Sequence, residues 1–255
     1  MSEPLSSPAP RSRGIYLLPN LLTTGGLFAG FYAILAAASG RFEVACIAVF
    51  VAGLFDSLDG RIARYTGTTS EFGVQYDSLA DLVSFGMAPA LVMYHWALVH
   101  LKADASVLGK VGWAASFLYV ACAALRLARF NTQVGSADKR WFIGLASPAA
   151  AGLMVAFVWT FNDLGFSGMQ LRHVALVVTV IAGLSMVSRI RYYSFKAAPR
   201  SERVPFLFML MAVLVIVALF IDPPKVLLLV GLIYLLSGPL LWLWQRRRRG
   251  EGEAG

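Results

Sequence analysis

Four aspartates, Asp56, Asp59, Asp77 and Asp81, fall within 26 positions of a 255-residue chain. The first two open the run Asp56-Ser57-Leu58-Asp59-Gly60-Arg61-Ile62-Ala63-Arg64; eight residues later comes Gly73, followed by Asp77 and Asp81. Carboxylates gathered without a nearby thiol or imidazole form a hard-donor set, which suits Mg²⁺ or Mn²⁺, with Ca²⁺ also compatible. A pair of Mg²⁺ ions is the usual apparatus of phosphoryl chemistry. Arg64 adds a planar fork matched to phosphate oxygens. Gly60 and Gly73 remove side chains where a ligand would come close.

The spacing states how such residues could meet. Asp56, Asp59, Gly60, Ala63 and Arg64 stand at i, i+3, i+4, i+7 and i+8, one stripe of a helix. Gly73, Asp77 and Asp81 stand at i, i+4 and i+8, again one stripe. Between them, Tyr65 to Phe72 includes Gly67, Thr68, Thr69 and Ser70, a composition suited to a tight turn, with Ser70 as N-cap of the second helix. An antiparallel helix pair would then set the two stripes face to face.

These charges belong to a very apolar chain. Residues of the apolar types make up 58% and charged residues 14%, with a net charge of +8; the mean hydropathy is +0.68. So little polar surface cannot cover a soluble globule of this size. The composition equally excludes a disordered chain or a nucleic-acid-binding domain, so no nucleic-acid partner is expected. The sequence reads as an all-α integral membrane protein. In lipid, each of the four acids would cost about 2.5–3.5 kcal/mol near the bilayer centre, which makes structural accident a poor account of all four. Cys46 and Cys122 lie in apolar runs with no metal-ligand spacing and read as small buried residues.

Stretches long enough to span a bilayer predict about eight helices, near 17–38, 42–64, 74–99, 110–130, 145–163, 172–189, 205–221 and 224–244. The run from Ile15 to Ala38 is too long for a signal-peptide core and reads as a retained first helix. Ile221-Asp222-Pro223-Pro224-Lys225 turns the last two spans into a hairpin. Of 22 Lys and Arg, 17 fall on one side of these spans, including Arg11, Arg13, Arg61, Arg64, Arg126, Arg129, Arg189 and Arg246 to Arg249. By the positive-inside rule both termini are cytoplasmic, and so is the aspartate cluster. The expected organisation is a juxtamembrane N-terminus (1–14), a catalytic transmembrane core (15–203), a C-terminal helical hairpin (204–244) and a basic tail (245–255).

The pattern Asp56-x2-Asp59-Gly60-x2-Ala63-Arg64-x8-Gly73-x3-Asp77-x3-Asp81 resembles, without departure, the signature of the CDP-alcohol phosphatidyltransferase family. Members of that family move a phosphatidyl group from a CDP-activated lipid to an alcohol and release CMP. The resemblance implies a six-helix core extended here by the hairpin, and two divalent ions held by Asp56, Asp59 and Asp77. Asp81 would complete the metal site and act as general base. Gly60, Arg64 and Gly73, with Ser70 at the turn, would border the CDP moiety. A homodimer in the cytoplasmic membrane of a bacterium or archaeon is implied as well.

Four further stretches, Leu18 to Thr23, Leu82 to Ala90, Arg126 to Asn131 and Gly144 to Gly152, are similar to the membrane-embedded members that use CDP-diacylglycerol and L-serine. Ala146 stands where many relatives have proline. An amino-acid acceptor carries a carboxylate that needs a cation. Arg126 and Arg129, at i and i+3 on the cytoplasmic side, could supply it, with Asn131 and Ser84 as neutral partners. Both arginines could equally be anchors reaching lipid phosphates. Glycerol 3-phosphate, inositol phosphate or choline stay open as acceptors. A transporter is the remoter alternative, although transporter sites usually lie at the bilayer midplane rather than beside an interfacial turn.

Overall fold

The fold is described from a computed structural model for residues 17–68, 70–132, 141–193 and 206–252. Of the expected cytoplasmic charges, Arg11, Arg13, Lys139, Arg140, Lys196, Arg200 and Arg203 lie outside the described residues, as does the juxtamembrane N-terminus.

Helix α1 (Leu17–Ala38) coincides with the first expected span, and α2 (Phe42–Thr66) extends the second by two residues. α2 ends on Gly67, whose φ of 63° is left-handed and whose N–H returns to the carbonyl of Ala63. The turn is therefore shorter than the eight residues expected, because Tyr65 and Thr66 stay helical. Helix α3 (Glu71–Asp81) starts on the anticipated cap: the Ser70 hydroxyl accepts the N–H of Gly73 at 3.0 Å.

The third span departs from expectation. It is not one helix over 74–99 but α3, a π-helical turn (Leu82–Met87), α4 (Ala88–Trp96) and a 3₁₀ segment (Leu98–Ala103). Pro89, near the start of α4, cannot donate to the turn before it, so the turn widens. Next come α5 (Ser106–Thr132), α6 (Ser147–Asp163), α7 (Gly168–Val187), α8 (Phe206–Ile221) and α9 (Pro223–Gly252). The fold is all-α as expected but for one small antiparallel ribbon between loops, in which β1 (Trp141–Ile143) pairs with β2 (Arg191–Tyr193).

Alanines dominate the buried core, including Ala33, Ala36, Ala45, Ala88, Ala150 and Ala182. Small residues let backbones approach where lipid supplies no hydrophobic drive for helix association. The tightest example is Gly30: a Cβ there would lie 2.8 Å from Cα of Ser84, so α1 runs directly against the π turn. α1 packs along α2 and α3, α2 on α6, α5 on α7, and α9 on α6. α8 is apolar and largely exposed.

The chain is an integral membrane protein. Among the described residues four helices have the length and apolarity of a full span: α1, α5, α7 and Pro223–Trp242 of α9. That is fewer than the eight expected. α6 and α8 are shorter, at 17 and 16 residues, while α2 carries Asp56, Asp59, Arg61 and Arg64 in its last turns.

Candidate active site

The site forms where the end of α2 meets α3 across the Gly67–Ser70 turn. The two predicted stripes do face each other. Asp56, Asp59 and Asp77 each offer a carboxylate oxygen within 4.8 Å of the others. Opposite ligands of a hard cation stand roughly 4–5 Å apart, so this spacing matches an all-oxygen metal site. Asp81, one helical turn beyond Asp77, is not in that group of three but lines the same small pocket. Thr23, Gly26, Ala80, Ser84 and Phe85 also line it.

Asp59 is the most buried of the four acids, at 4% exposure. Its Oδ2 accepts a 2.6 Å hydrogen bond from the hydroxyl of Thr23 on α1. Arg64 lies over Gly60: a Cβ on that glycine would sit 3.4 Å from the guanidinium. Arg64 itself is exposed at the rim and interacts electrostatically with Asp59. Gly73 faces the amide oxygen of Asn20, 3.6 Å from where its Cβ would be. The Ser70 hydroxyl is engaged as the α3 cap.

The residues expected to hold the acceptor are placed unequally. Ser84 is buried in the pocket wall and donates to the carbonyl of Gly26 at 3.1 Å. Asn131 instead donates to the hydroxyl of Ser78 at 2.9 Å, which ties the end of α5 to α3. Arg129 is partly buried and makes no side-chain hydrogen bond among the described residues. Arg126 reaches inward: Nη1 donates to the hydroxyl of Ser147 at 2.7 Å, while its buried Nε has no partner among the described residues. It interacts electrostatically with Asp81, with Tyr119 of α5 and with Tyr234 of α9. The guanidinium is thus partly buried, with one neutral hydrogen bond and the carboxylate of Asp81 as its charge partner.

Several contributors were not singled out from the residues alone. Thr23 positions Asp59 although 36 positions separate them. Thr24 and Tyr76 share a 2.9 Å hydrogen bond that fastens α1 to α3. The polar spacing Asn20, Thr23, Thr24 on an apolar helix was the available signal.

The site is therefore a carboxylate cluster at one end of a helical membrane bundle, with Arg64 at its rim and Arg126 reaching toward Asp81. The chain belongs to the CDP-alcohol phosphatidyltransferase family, whose sequence pattern matches residues 16–184. The family is divalent-metal dependent, and the aspartate triad offers the matching ligand set. The CDP-diacylglycerol–serine O-phosphatidyltransferase of Helicobacter pylori is 38% identical over 230 residues, covering 90% of this chain and 92% of that one. The archaetidylserine synthase of Methanothermobacter thermautotrophicus is 37% identical over 178 residues, 69% of each chain. The crystal structure of Mycobacterium tuberculosis phosphatidylinositol phosphate synthase with CDP-DAG bound superposes with a TM-score of 0.47 at 17% identity, covering 68% of this chain and 80% of that one.

Proposed function

We propose that this protein transfers the phosphatidyl group of CDP-diacylglycerol to the hydroxyl of L-serine, giving phosphatidylserine and CMP. The observation that carries the reading is the carboxylate triad, with Arg126 a partly buried cation in the field of Asp81 whose Nε lacks a partner among the described residues. A metal-phosphate site and a carboxylate-binding site would then lie to either side of Asp81. The serine-using relative at 38% identity over 90% of the chain supports the same reading.

Asp56, Asp59 and Asp77 would hold Mg²⁺ or Mn²⁺, two ions in all, with Asp81 completing the set. Bound there, the metal supplies charge neutralisation for the pyrophosphate and the leaving CMP. Asp81 accepts the proton of the serine hydroxyl as its oxygen bonds to the phosphorus carrying diacylglycerol. The bond from that phosphorus to the CMP oxygen breaks. No Ser, Cys or His in the motif is placed for a covalent intermediate, which favours direct attack. Arg64 holds the pyrophosphate at the rim, with Gly60 and Gly73 giving the nucleotide room. Arg126 binds the serine carboxylate. Arg129 stands nearby on the same side, while Ser84 shapes the floor and Asn131 braces α5 against α3.

The arginine-rich side of the chain supports eight crossings, cytoplasmic termini and a site open to the cytoplasm of a bacterial or archaeal cell. Membership of the family supports a homodimer. The deciding experiment incubates the purified protein with CDP-diacylglycerol, Mg²⁺ or Mn²⁺ and one alcohol at a time, and measures CMP. Release with L-serine well above that with glycerol 3-phosphate, inositol phosphate or choline is expected. Preference for one of those three would replace serine as the acceptor, and EDTA-resistant release would remove the metal from the reaction.

A further inference from the structure

The widened turn that follows Asp81 is fastened from two sides, and one of the fastenings replaces a bond that Pro89 cannot make. In an ordinary helix the N–H of residue 89 would donate to the carbonyl of Phe85, but proline has none. Tyr119 of α5 takes that place, its hydroxyl donating to the Phe85 carbonyl at 3.1 Å from a fully buried position. One residue earlier, Ser84 donates to the Gly26 carbonyl of α1, also at 3.1 Å. Adjacent residues of the turn are thus tied to opposite helices. The N–H of Ala88 reaches back five residues to Val83, which keeps the turn wide. Behind Tyr119, a Cβ on Gly183 would lie only 3.2 Å from the tyrosine Cα, so α7 blocks its retreat.

Asp81, Ser84 and Phe85 all line the pocket that the aspartate triad shares. We infer that Tyr119 is a positioning residue for the transfer reaction: through the Phe85 carbonyl it fixes the π turn and so the direction in which Asp81 and Ser84 face the substrates. The inference rests on the phosphatidyl-transfer reading above. It does not depend on which alcohol is used, because Asp81 and the aspartate triad beside the turn act at the phosphorus whichever alcohol attacks. A buried acceptor left without a donor is costly, and here the cost falls on the segment that carries the reacting geometry.

The test uses the full chain in detergent–lipid micelles and follows CMP release. Tyr119→Phe is expected to lower kcat about tenfold or more, with KM for both substrates within about twofold, since the lost interaction sets geometry rather than binding. Adding Pro89→Ala to that variant returns an N–H to the Phe85 carbonyl and should restore kcat to within about threefold of the parent. A Tyr119→Phe enzyme with undiminished kcat overturns the inference. So does a loss that Pro89→Ala fails to recover, which would mean that the Tyr119 hydroxyl acts elsewhere than at the Phe85 carbonyl. Should the parent release CMP only with another alcohol, the serine assignment fails while the Tyr119 comparison is run on that alcohol.

Discussion

The hydroxyl of Thr23 donates to Oδ2 of Asp59 at 2.6 Å, joining α1 to the carboxylate buried deepest in the site. The same hydroxyl lies 3.1 Å from the carbonyl of Pro19 one turn back on its own helix. A carboxylate fixed in this way presents its free oxygen in one direction, which is how groups behind a metal ligand tune the ion's affinity. Thr23→Val keeps the shape and removes the bond. Its half-maximal Mg²⁺ concentration for CMP release should rise about 10- to 100-fold, and excess metal should recover most of the rate. An unchanged metal titration would reduce Thr23 to a packing role.

Arg126 makes a second prediction, about the acceptor. Its hydrogen bond to Ser147 holds the guanidinium while Nε stays without a partner among the described residues. Arg126→Gln should raise the KM for L-serine about 10- to 100-fold, the effect of losing a charge-assisted hydrogen bond to a carboxylate. The KM for CDP-diacylglycerol should stay put. Selectivity for serine over ethanolamine, which lacks the carboxylate, should fall in parallel. Equal losses toward both amines would contradict a carboxylate contact.

Much of this site was legible because helices write their contacts into local spacing. The stripes from Asp56 to Arg64 and from Gly73 to Asp81 lie on the facing helices they implied, and Ser70 caps α3. The length of α1 was read to the residue. What stayed hidden depends on partners distant in sequence. Nothing within Leu82 to Met87 announces a π turn, since its cause is Pro89 and its support is Tyr119, 34 positions from Phe85. The β1–β2 ribbon pairs residues about fifty positions apart in two separate loops, where no hydrophobic alternation is long enough to signal a strand. The bond from Asn131 to Ser78 is of the same kind, set by α5 ending against α3 rather than by any local spacing.

A third prediction concerns the closeness of α1 to the π turn. A Cβ at Gly30 would stand 2.5 Å from Oγ and 2.8 Å from Cα of Ser84, and backbone cannot step aside as a flexible side chain can. Gly30→Ala should destabilise the fold by about 1–3 kcal/mol through overpacking, and should also lower activity because Ser84 lines the pocket. Gly53→Ala is the matched control: its Cβ would meet only the Phe85 ring, at an ordinary 3.7 Å. Thermal melting in detergent compares the two, and equal melting temperatures would refute the steric reading.

The last prediction lies at the opposite end of the bundle, where Asp104 follows the 3₁₀ segment. Arg172 of α7 holds its carboxylate in a fork, Nε to Oδ2 at 2.6 Å and Nη2 to Oδ1 at 2.5 Å, with His173 Nε2 3.2 Å from Oδ2. The hydrogen bonds from Arg172 hold the Asp104 carboxyl below the usual carboxylate range. A group whose folded pKa is depressed stabilises the fold above its unfolded value, about 3.9, and loses that contribution as pH falls through the folded pKa. Arg172→Gln should therefore lower the melting temperature at neutral pH, and the gap from the parent should close on acidification below about pH 4. High salt should narrow the gap at neutral pH too, since the pair is exposed. CMP release should be unaffected, because this pair lies across the bundle from the aspartates. A gap that persists in acid would mean that Arg172 acts through its stem packing on α7 rather than through its charge.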